Sequence, residues 1–481
     1  MKRLLISCLA IMLLVGNMSS AWAAKMPDWL PTGGISTSQN VLSNIRYGDN
    51  NTRLRIVLDL SAVANYSVSR ENNDTRLVVN LNNIATTLQG APALRSNVVK
   101  DIILGTYGSD TVQLIVDMKA PMKAPMEAKV YTMANPHRLV IDIQKEYEEM
   151  QPWQIMPGLN YTRYLRVDNR GMLTAYVLEA DRSKFDLQLS LAGDSIASGR
   201  QKLKALASAH QAVAAINGGY FALDGSLIGN TRINGQTAGT TYFDRTSLGF
   251  MPDGTLKLAT SQYYGVVEIA GQKVYLSGVN CPRGENNTIL YNSLFGNYTG
   301  TNEFGTEYVV QNGKVIAINQ ANSFIPVDGQ VISVHGKAQE AFTNVKIGDK
   351  ISIGENFGPE LDSASTIVGA GPELLRNGQL HVTAVQEQFP ADIAKGRAPR
   401  TALGIKADGK IILMVIDGRQ SHSIGTTLTE TAQLLQKFGA VNGFNLDGGG
   451  SSEMVLQGQI LNSPSDGGER PVGSGLILTR R

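Results

Sequence analysis

The sequence predicts an α+β protein in which a small N-terminal β-sandwich precedes a large mixed α/β domain with a central sheet. Three observations carry this reading. Of 50 glycines, 7 fall in residues 1–150 and 43 in 151–481, so two regions of different character follow one another. Residues 41–146 alternate apolar and polar with period two, the mark of half-buried strands. Beyond residue 160, strand patterns alternate with two segments of helical period. The chain has 481 residues, 17% charged and 42% hydrophobic. Charge sits below the usual ~25%, which makes it globular rather than disordered or coiled-coil. A net charge of +2 and no Lys/Arg-rich run exclude a nucleic-acid partner read through a basic field.

The N-terminus reads as a secretory signal over residues 1–23. Lys2 and Arg3 precede an apolar run from Leu4 to Val15, and Ala21-Trp22-Ala23 supplies a small-residue cleavage site. The run is too short for a comfortable membrane span, so no transmembrane segment is expected after cleavage. Cleavage removes Cys8 and leaves Cys281 alone, which rules out an intramolecular disulfide. Cys281 lies in Gly278-Val279-Asn280-Cys281-Pro282-Arg283 with no neighbouring His, a poor setting for a nucleophile. These features point to an exported protein, periplasmic or extracellular, with a core large enough to need no staples.

Within 41–146, positions 54, 56, 58 and 60 share one strand face, and so do 112, 114, 116 and 118. A weak repeat is visible. Ile56-Val57-Leu58-Asp59-Leu60 followed by Arg76-Leu77-Val78-Val79-Asn80-Leu81 echoes Leu114-Ile115-Val116-Asp117-Met118 followed by Arg138-Leu139-Val140-Ile141-Asp142-Ile143. Two such halves packed face to face make a sandwich. This layout behind a signal resembles the AMIN domain of bacterial envelope proteins. The resemblance implies cell-wall localisation and affinity for peptidoglycan or wall polysaccharide through residues 41–146; a spacer that binds nothing is the alternative.

Residues 147–159, with Pro152 and Pro157 about Trp153, read as a linker into a domain spanning 160–481. A helix is expected near Gly199–His210, with Leu203, Leu206 and Ala207 inward, leading into a strand at Ala212–Ile216. A second is expected at Leu428–Phe438, closed by Gly439. Between them, 243–385 reads as short strands joined by turns such as Asn312-Gly313 and Asn377-Gly378.

Four strand ends carry polar residues. They are Asn217-Gly218-Gly219-Tyr220-Phe221, Arg397-Ala398-Pro399-Arg400-Thr401, Asp417-Gly418-Arg419-Gln420 and Asp447-Gly448-Gly449-Gly450-Ser451-Ser452. Glycine runs at strand ends let backbone N–H groups approach a ligand. Asn-Gly and Asp-Gly pairs alone make hairpins, but three glycines after an aspartate exceed what a hairpin requires. No Gly-Lys-Ser/Thr or GxGxxG follows, which excludes the phosphate-loop motifs. Ser423–Thr427 precedes the second helix and offers an anion site beside Asp417 and Arg419. Thr427-x-x-Glu430 is a capping box, and Glu430 is equally a site candidate. A Ser-His-Asp arrangement around His422 is disfavoured, since adjacent residues rarely form a triad. Five scattered histidines without His-Glu-x-x-His give no zinc site. A divalent cation such as calcium is compatible with Asp417 and Asp447, but no spacing demands one.

Taken in order, Ile216–Phe221, Arg400-Thr401-Ala402-Leu403-Gly404, Asp417–Gln420, Gly425–Glu430, Asn445–Ser452 and the tail Asn462–Asp466 with Glu469-Arg470-Pro471-Val472 resemble the phosphodiester glycosidase family. That family includes the enzyme that removes N-acetylglucosamine from an N-acetylglucosamine-1-phosphodiester on mannose. The resemblance implies hydrolysis of a sugar–phosphate glycosidic bond. Asp447 or Asp417, with Glu430 nearby, would serve as nucleophile, base or stabiliser of an oxocarbenium-like transition state. Arg400, Arg419 and the amides of Gly448, Gly449 and Gly450 would hold the phosphodiester, with Thr401, Ser451, Ser452 and Arg470 as further substrate-binding residues. Asn217, with Gly218 and Gly219, would orient sugar hydroxyls or a carboxylate. No cofactor is implied. A non-catalytic cell-wall glycan-binding protein is the alternative reading.

Overall fold

The structure is a computed structural model that describes residues 40–481, apart from Asn51, Asn97, Ser109, Ala120, residues 123–127, Asn169, Tyr242 and Ala270. The expected signal segment and Cys8 lie outside the described residues.

The first unit is the expected sandwich. One sheet runs Ile84–Thr86, Asn40–Asp49, Arg53–Leu60, Arg138–Gln144, Ala128–Met133; the other runs Asn65–Glu71, Arg76–Asn82, Thr111–Met118, Val99–Tyr107. Leu54, Ile56 and Leu58 pack against Val112, Leu114 and Val116 in one core. The repeated halves do not face each other, however; each sheet takes strands from both. Arg53–Leu60 pairs with Arg138–Gln144, and Arg76–Asn82 with Thr111–Met118. The repeat explains the exchange, because its Asp and Arg positions fall opposite each other across both pairings. Arg138 meets Asp59 at 3.5 Å and Arg76 meets Asp117 at 2.6 Å.

Residues 147–159 are not a linker. Tyr147–Met156 is a strand that turns at Gly158 (φ 86°) and pairs with Leu159–Asp168. It is the outer strand of an eight-stranded sheet, where Pro152 removes a donor the sheet does not need. Trp153 stacks on Tyr161 with ring centroids 5.2 Å apart. Val167, two turns of the pleat further on, is buried in the sandwich core, so the two units share apolar packing.

That eight-stranded antiparallel sheet is the predicted central sheet. Beyond the first two strands come Gly171–Ala180, Ile411–Ile416, Arg400–Lys406, Ala440–Asn445, Glu373–Arg376 and Gln379–Leu380. Ile411–Ile416 is buried at every position, as expected of a strand covered on both faces. One face packs against a five-stranded sheet made of Phe185–Leu191, Ser474–Arg480, Ala214–Asn217, Met454–Leu456 and Gln459–Ile460. The other face carries the helix Leu428–Lys437. The earlier helix forms as Leu203–Ala209. The short helix Ala391–Lys395 was not expected. Residues 231–369 supply the remaining sheets, and the Asn-Gly turn there has the left-handed geometry such hairpins require, φ 48° and 68° at Asn312 and Gly313.

The helix lies close to the sheet because two glycines give it room. Leu435 is fully buried, and its methyls come within 3.2 Å and 2.9 Å of where a Cβ on Gly404 or Gly443 would stand. Replacing Leu435 with Ala leaves a void the rigid sheet cannot fill. Denaturant unfolding is expected to show a loss of about 2–5 kcal/mol. A loss under about 1 kcal/mol would mean that the helix does not dock as described.

Candidate active site

The strand ends singled out in the sequence converge where the two packed sheets meet. Ala214–Asn217 comes from the five-stranded sheet, whereas Arg400–Lys406 and Ala440–Asn445 come from the central one. Asn217 is buried and ties them together. Its Nδ2 donates to the Asp447 carbonyl at 2.7 Å, and its Oδ1 accepts from Thr401 Oγ1 at 2.7 Å and from the Glu453 N–H at 3.2 Å. The Asp447 N–H donates to the Gly218 carbonyl at 3.1 Å, and the Leu446 N–H to the Thr401 carbonyl at 2.8 Å. Asn217 and Thr401 are thus braces behind the site and do not line it.

In front of this brace lies a cavity of about 370 Å³ whose walls include Asp447, Arg397, Arg400, Arg419, Arg470 and Tyr220. Asp447 keeps its side chain open to the cavity, and its Oδ1 accepts the Gly448 N–H at 2.9 Å. Burial pushes its carboxyl up to about 6, against the opposing pull of the Ser451 hydroxyl, the Gly448 N–H and the charge of Arg470. Tyr220 is raised above the usual phenol range by burial and by the Asp447 charge. Its hydroxyl donates to the Gly371 carbonyl at 3.0 Å and accepts from Asn445 Nδ2 at 3.1 Å.

Of the four arginines, three are held from behind. Arg397 pairs with Glu430 at 2.7 Å and Arg470 with Asp466 at 2.6 Å. Arg400 donates to the carbonyls of Thr426, Ile393 and Gly396, and burial lowers its pKa. Arg419 is exposed and has no hydrogen bond or ion pair among the described residues. Its backbone sits at φ 60°, a conformation costly for a non-glycine residue and often retained at functional sites.

Several expected site residues stand elsewhere. The Asp417 carboxylate is fully buried and filled by Tyr176 Oη, His422 Nε2, Asn462 Nδ2 and the Ser463 N–H at 3.0–3.2 Å. Four donors leave it no lone pair for substrate or, with Asp447, for a cation. It positions the tail that carries Arg470. His422 does meet Asp417, but Ser423 Oγ donates to the Asp417 carbonyl at 2.6 Å, so no triad forms. Glu430 closes the capping box with Thr427 and also pairs with Arg170 at 2.7 Å. Burial alone would raise its pKa; Arg397, the Thr427 N–H and Arg170 outweigh it and hold the carboxyl below its usual range. The anion at this helix start is therefore the protein's own carboxylate.

The glycine amides differ from expectation as well. Gly448 N–H is taken by Asp447 and Gly449 N–H by the Pro399 carbonyl at 3.0 Å, which leaves Gly450 N–H. Gly450 is required for another reason: a Cβ there would collide with Arg470 and Asp466. Gly219 likewise has no room for a Cβ against the Gly369 carbonyl. Ser451 and Ser452 are buried behind the loop, and the Ser452 hydroxyl has no partner among the described residues. Sequence reasoning missed Asp392, the second carboxylate lining the cavity, together with Arg397 and Tyr220 in that role. Asp392 stands on the five-residue helix, where no motif marks it. Among the described residues no group of three or more His, Cys, Asp and Glu side chains is placed to hold a metal, and no helix is long and apolar enough to cross a membrane.

With this geometry in hand, comparisons locate the chain among known proteins. Residues 304–479 match the family model described as phosphodiester glycosidase, and residues 44–143 match the AMIN domain. The chain is 40% identical over 81 residues to an SPbeta prophage-derived uncharacterized protein of Bacillus subtilis (strain 168), covering 17% of this chain and 13% of that one. It is 29% identical over 177 residues to N-acetylglucosamine-1-phosphodiester alpha-N-acetylglucosaminidase of Mus musculus, covering 33% of each. The chain thus spans at most a third of the length of these curated relatives. A crystal structure of a hypothetical protein from Synechocystis has the same fold, with TM-score 0.62 and 23% identity over 92% of this chain and 81% of that one. The Asn217 segment lies outside the residues matched to the glycosidase model, yet the fold brings it onto Asp447.

Behind the brace, Glu453 is buried beside Glu469. Burial, with the charge and carboxyl of Glu469, pushes it up to about 8. A carboxyl raised on folding binds a proton the unfolded chain releases, so stability falls as pH rises from the unfolded value toward about 8. Glu453→Gln removes that loss. Thermal melts are expected to place the variant several degrees above the parent near pH 9 and close to it at acid pH; an equal offset at both would refute the buried proton.

Proposed function

We propose that this chain is an exported glycoside hydrolase that cleaves a sugar-1-phosphodiester, of the N-acetylglucosamine-1-phosphodiester kind, in envelope or extracellular glycan. The observation that carries the reading is one open carboxylate, Asp447, facing a cavity walled by four arginines. A phosphodiester brings an anion and an electrophilic anomeric carbon into one small space, and this cavity answers both. Arg419, unpaired, offers a bidentate donor for the phosphate, and the braced Arg397, Arg400 and Arg470 add positive charge around it. Asp447, ionised above about 6, stabilises the oxocarbenium-like transition state as nucleophile or base. The departing phosphate monoester is a stable anion, so a strong general acid is less necessary than for an alcohol leaving group. Asp392 also lines the cavity. The signal features of residues 1–23 and the AMIN match support an envelope location, with residues 41–146 holding peptidoglycan or wall polysaccharide.

The test is release of N-acetylglucosamine from an aryl N-acetylglucosamine-1-phosphodiester. The parent chain is expected to turn it over with kcat/KM falling as pH drops through about 6, where Asp447 takes a proton. Asp447→Asn is expected to lose about 10²–10⁴ in kcat. Equal turnover by parent and variant would sink the assignment of Asp447. Wall-glycan binding with no sugar released from any phosphodiester would favour the non-catalytic reading instead.

A further inference from the structure

A second cavity, about 470 Å³, lies beside the first and has a different chemistry. Its floor and one wall are aromatic. Tyr291 is buried and meets Phe295 edge-on, with centroids 4.8 Å apart. Tyr298 is 54% exposed, steadied by Phe324 at 5.6 Å, and its hydroxyl has no partner among the described residues. Facing these rings are open polar valences. Asp224 Oδ1 accepts the N–H and hydroxyl of Ser226 at 3.0 and 2.7 Å, which leaves Oδ2 free. Asn302 Oδ1 accepts from Arg283 at 2.7 Å, which leaves its Nδ2 free.

The walls are stiff. Glu307, wholly buried, accepts from Thr299 Oγ1, Thr301 Oγ1, Ser333 Oγ and the Ser323 N–H at 2.8–2.9 Å. Ser333 in turn accepts from Arg283 at 2.8 Å. One aspartate and one committed arginine give no net charge, unlike the arginine-walled cavity next door. An aromatic face flanked by an open carboxylate oxygen and an amide NH₂ fits the apolar face and hydroxyl rim of a neutral sugar ring.

One short segment links the two cavities. Tyr220 faces the first and Asp224 the second, and four residues span at most about 14 Å even fully extended. The segment is a closed turn: Ala222 N–H bonds the Ser226 carbonyl at 2.8 Å, and Ile228 N–H the Tyr220 carbonyl at 2.8 Å. We propose that the second cavity is a saccharide subsite that binds a neutral sugar unit of the same glycan whose phosphodiester occupies the Asp447 cavity. This deepens the proposed function and rests on it.

The test uses the full chain, two probes and two substrates. Neutral N-acetylglucosamine tetramer, without phosphate, is titrated by NMR against the parent, Tyr298→Ala, Asp224→Asn and a control, Phe304→Ala, whose exposed ring lies outside the cavity. Glucose tetramer is the second probe. Turnover is measured on the aryl N-acetylglucosamine-1-phosphodiester and on its counterpart with an oligosaccharide as the leaving alcohol. Tyr298→Ala is expected to weaken binding of one tetramer about tenfold, and to raise KM to a similar degree on the long substrate alone. Asp224→Asn should do the same in smaller measure, and Phe304→Ala should change nothing. Binding of both tetramers unchanged in Tyr298→Ala, or undetectable in the parent, would overturn the subsite. Weakened binding with equal KM changes on both substrates would mean that the glycan held there is not the substrate's. No turnover of either substrate by the parent, with tetramer binding still lost in Tyr298→Ala, would refute the hydrolase reading while the sugar site stood.

Discussion

The Asn217 side chain is the constraint on which the site depends. One buried amide joins the end of a strand in the five-stranded sheet to the strand Arg400–Lys406 of the central sheet through Thr401, and it brackets the loop 447–453 at both ends by holding the Asp447 carbonyl and the Glu453 N–H. Each such bond contributes only about 1 kcal/mol net, but each buried group left without a partner costs about 1–3 kcal/mol. An amide presents a donor and an acceptor at one point, which joining groups from two packed sheets requires. An aspartate would lack the donor and add a charge beside Asp447. The Asp447 carboxylate can be held open to a cavity because its own backbone is fixed from behind.

The electrostatics of the cavity follow from that fixation. Four arginines near one carboxylate would ordinarily hold it strongly ionised, yet burial dominates and Asp447 is raised. The reason lies in the partners. Arg397 is drawn to Glu430 and Arg470 to Asp466, so much of their charge is compensated outside the cavity, while Arg400 is spread over three carbonyls. Glu430 and Asp417, both expected in the reaction, instead set where the arginines and the tail stand. The field left inside is uneven: one uncommitted guanidinium, Arg419, faces one desolvated carboxylate.

What the sequence disclosed follows the same division. Strand period, the capping box at Thr427 and Glu430, and the Asn-Gly turns are local, and each forms as read. The site's location was legible because strand ends and glycine runs mark it. The roles were less so, since residue type does not tell which face of a loop a carboxylate takes. Asp417 and Asp447 look alike in sequence; one receives four donors and the other opens to the cavity. The glycines of 448–450 read as amide donors, but two amides are used within the protein and Gly450 is needed for the space Arg470 fills. Asp392 sits on one turn of helix with no pattern to announce it. Pro152 read as a break because its donor is missing, and only the sheet order reveals that an outer strand can do without it.

That same strand changes how the two units relate. A flexible linker between 147 and 159 would have left the sandwich free to swing. Instead the chain passes from the sandwich directly into the central sheet, and Val167, with Leu165 and Met172 beside it, packs into the sandwich core. Apolar packing of this kind restrains relative motion far more than a polar seam does. A glycan held by residues 41–146 would therefore meet the second unit in a set orientation, and the geometry of the sheet, not the length of a tether, would decide which of its bonds reach Asp447.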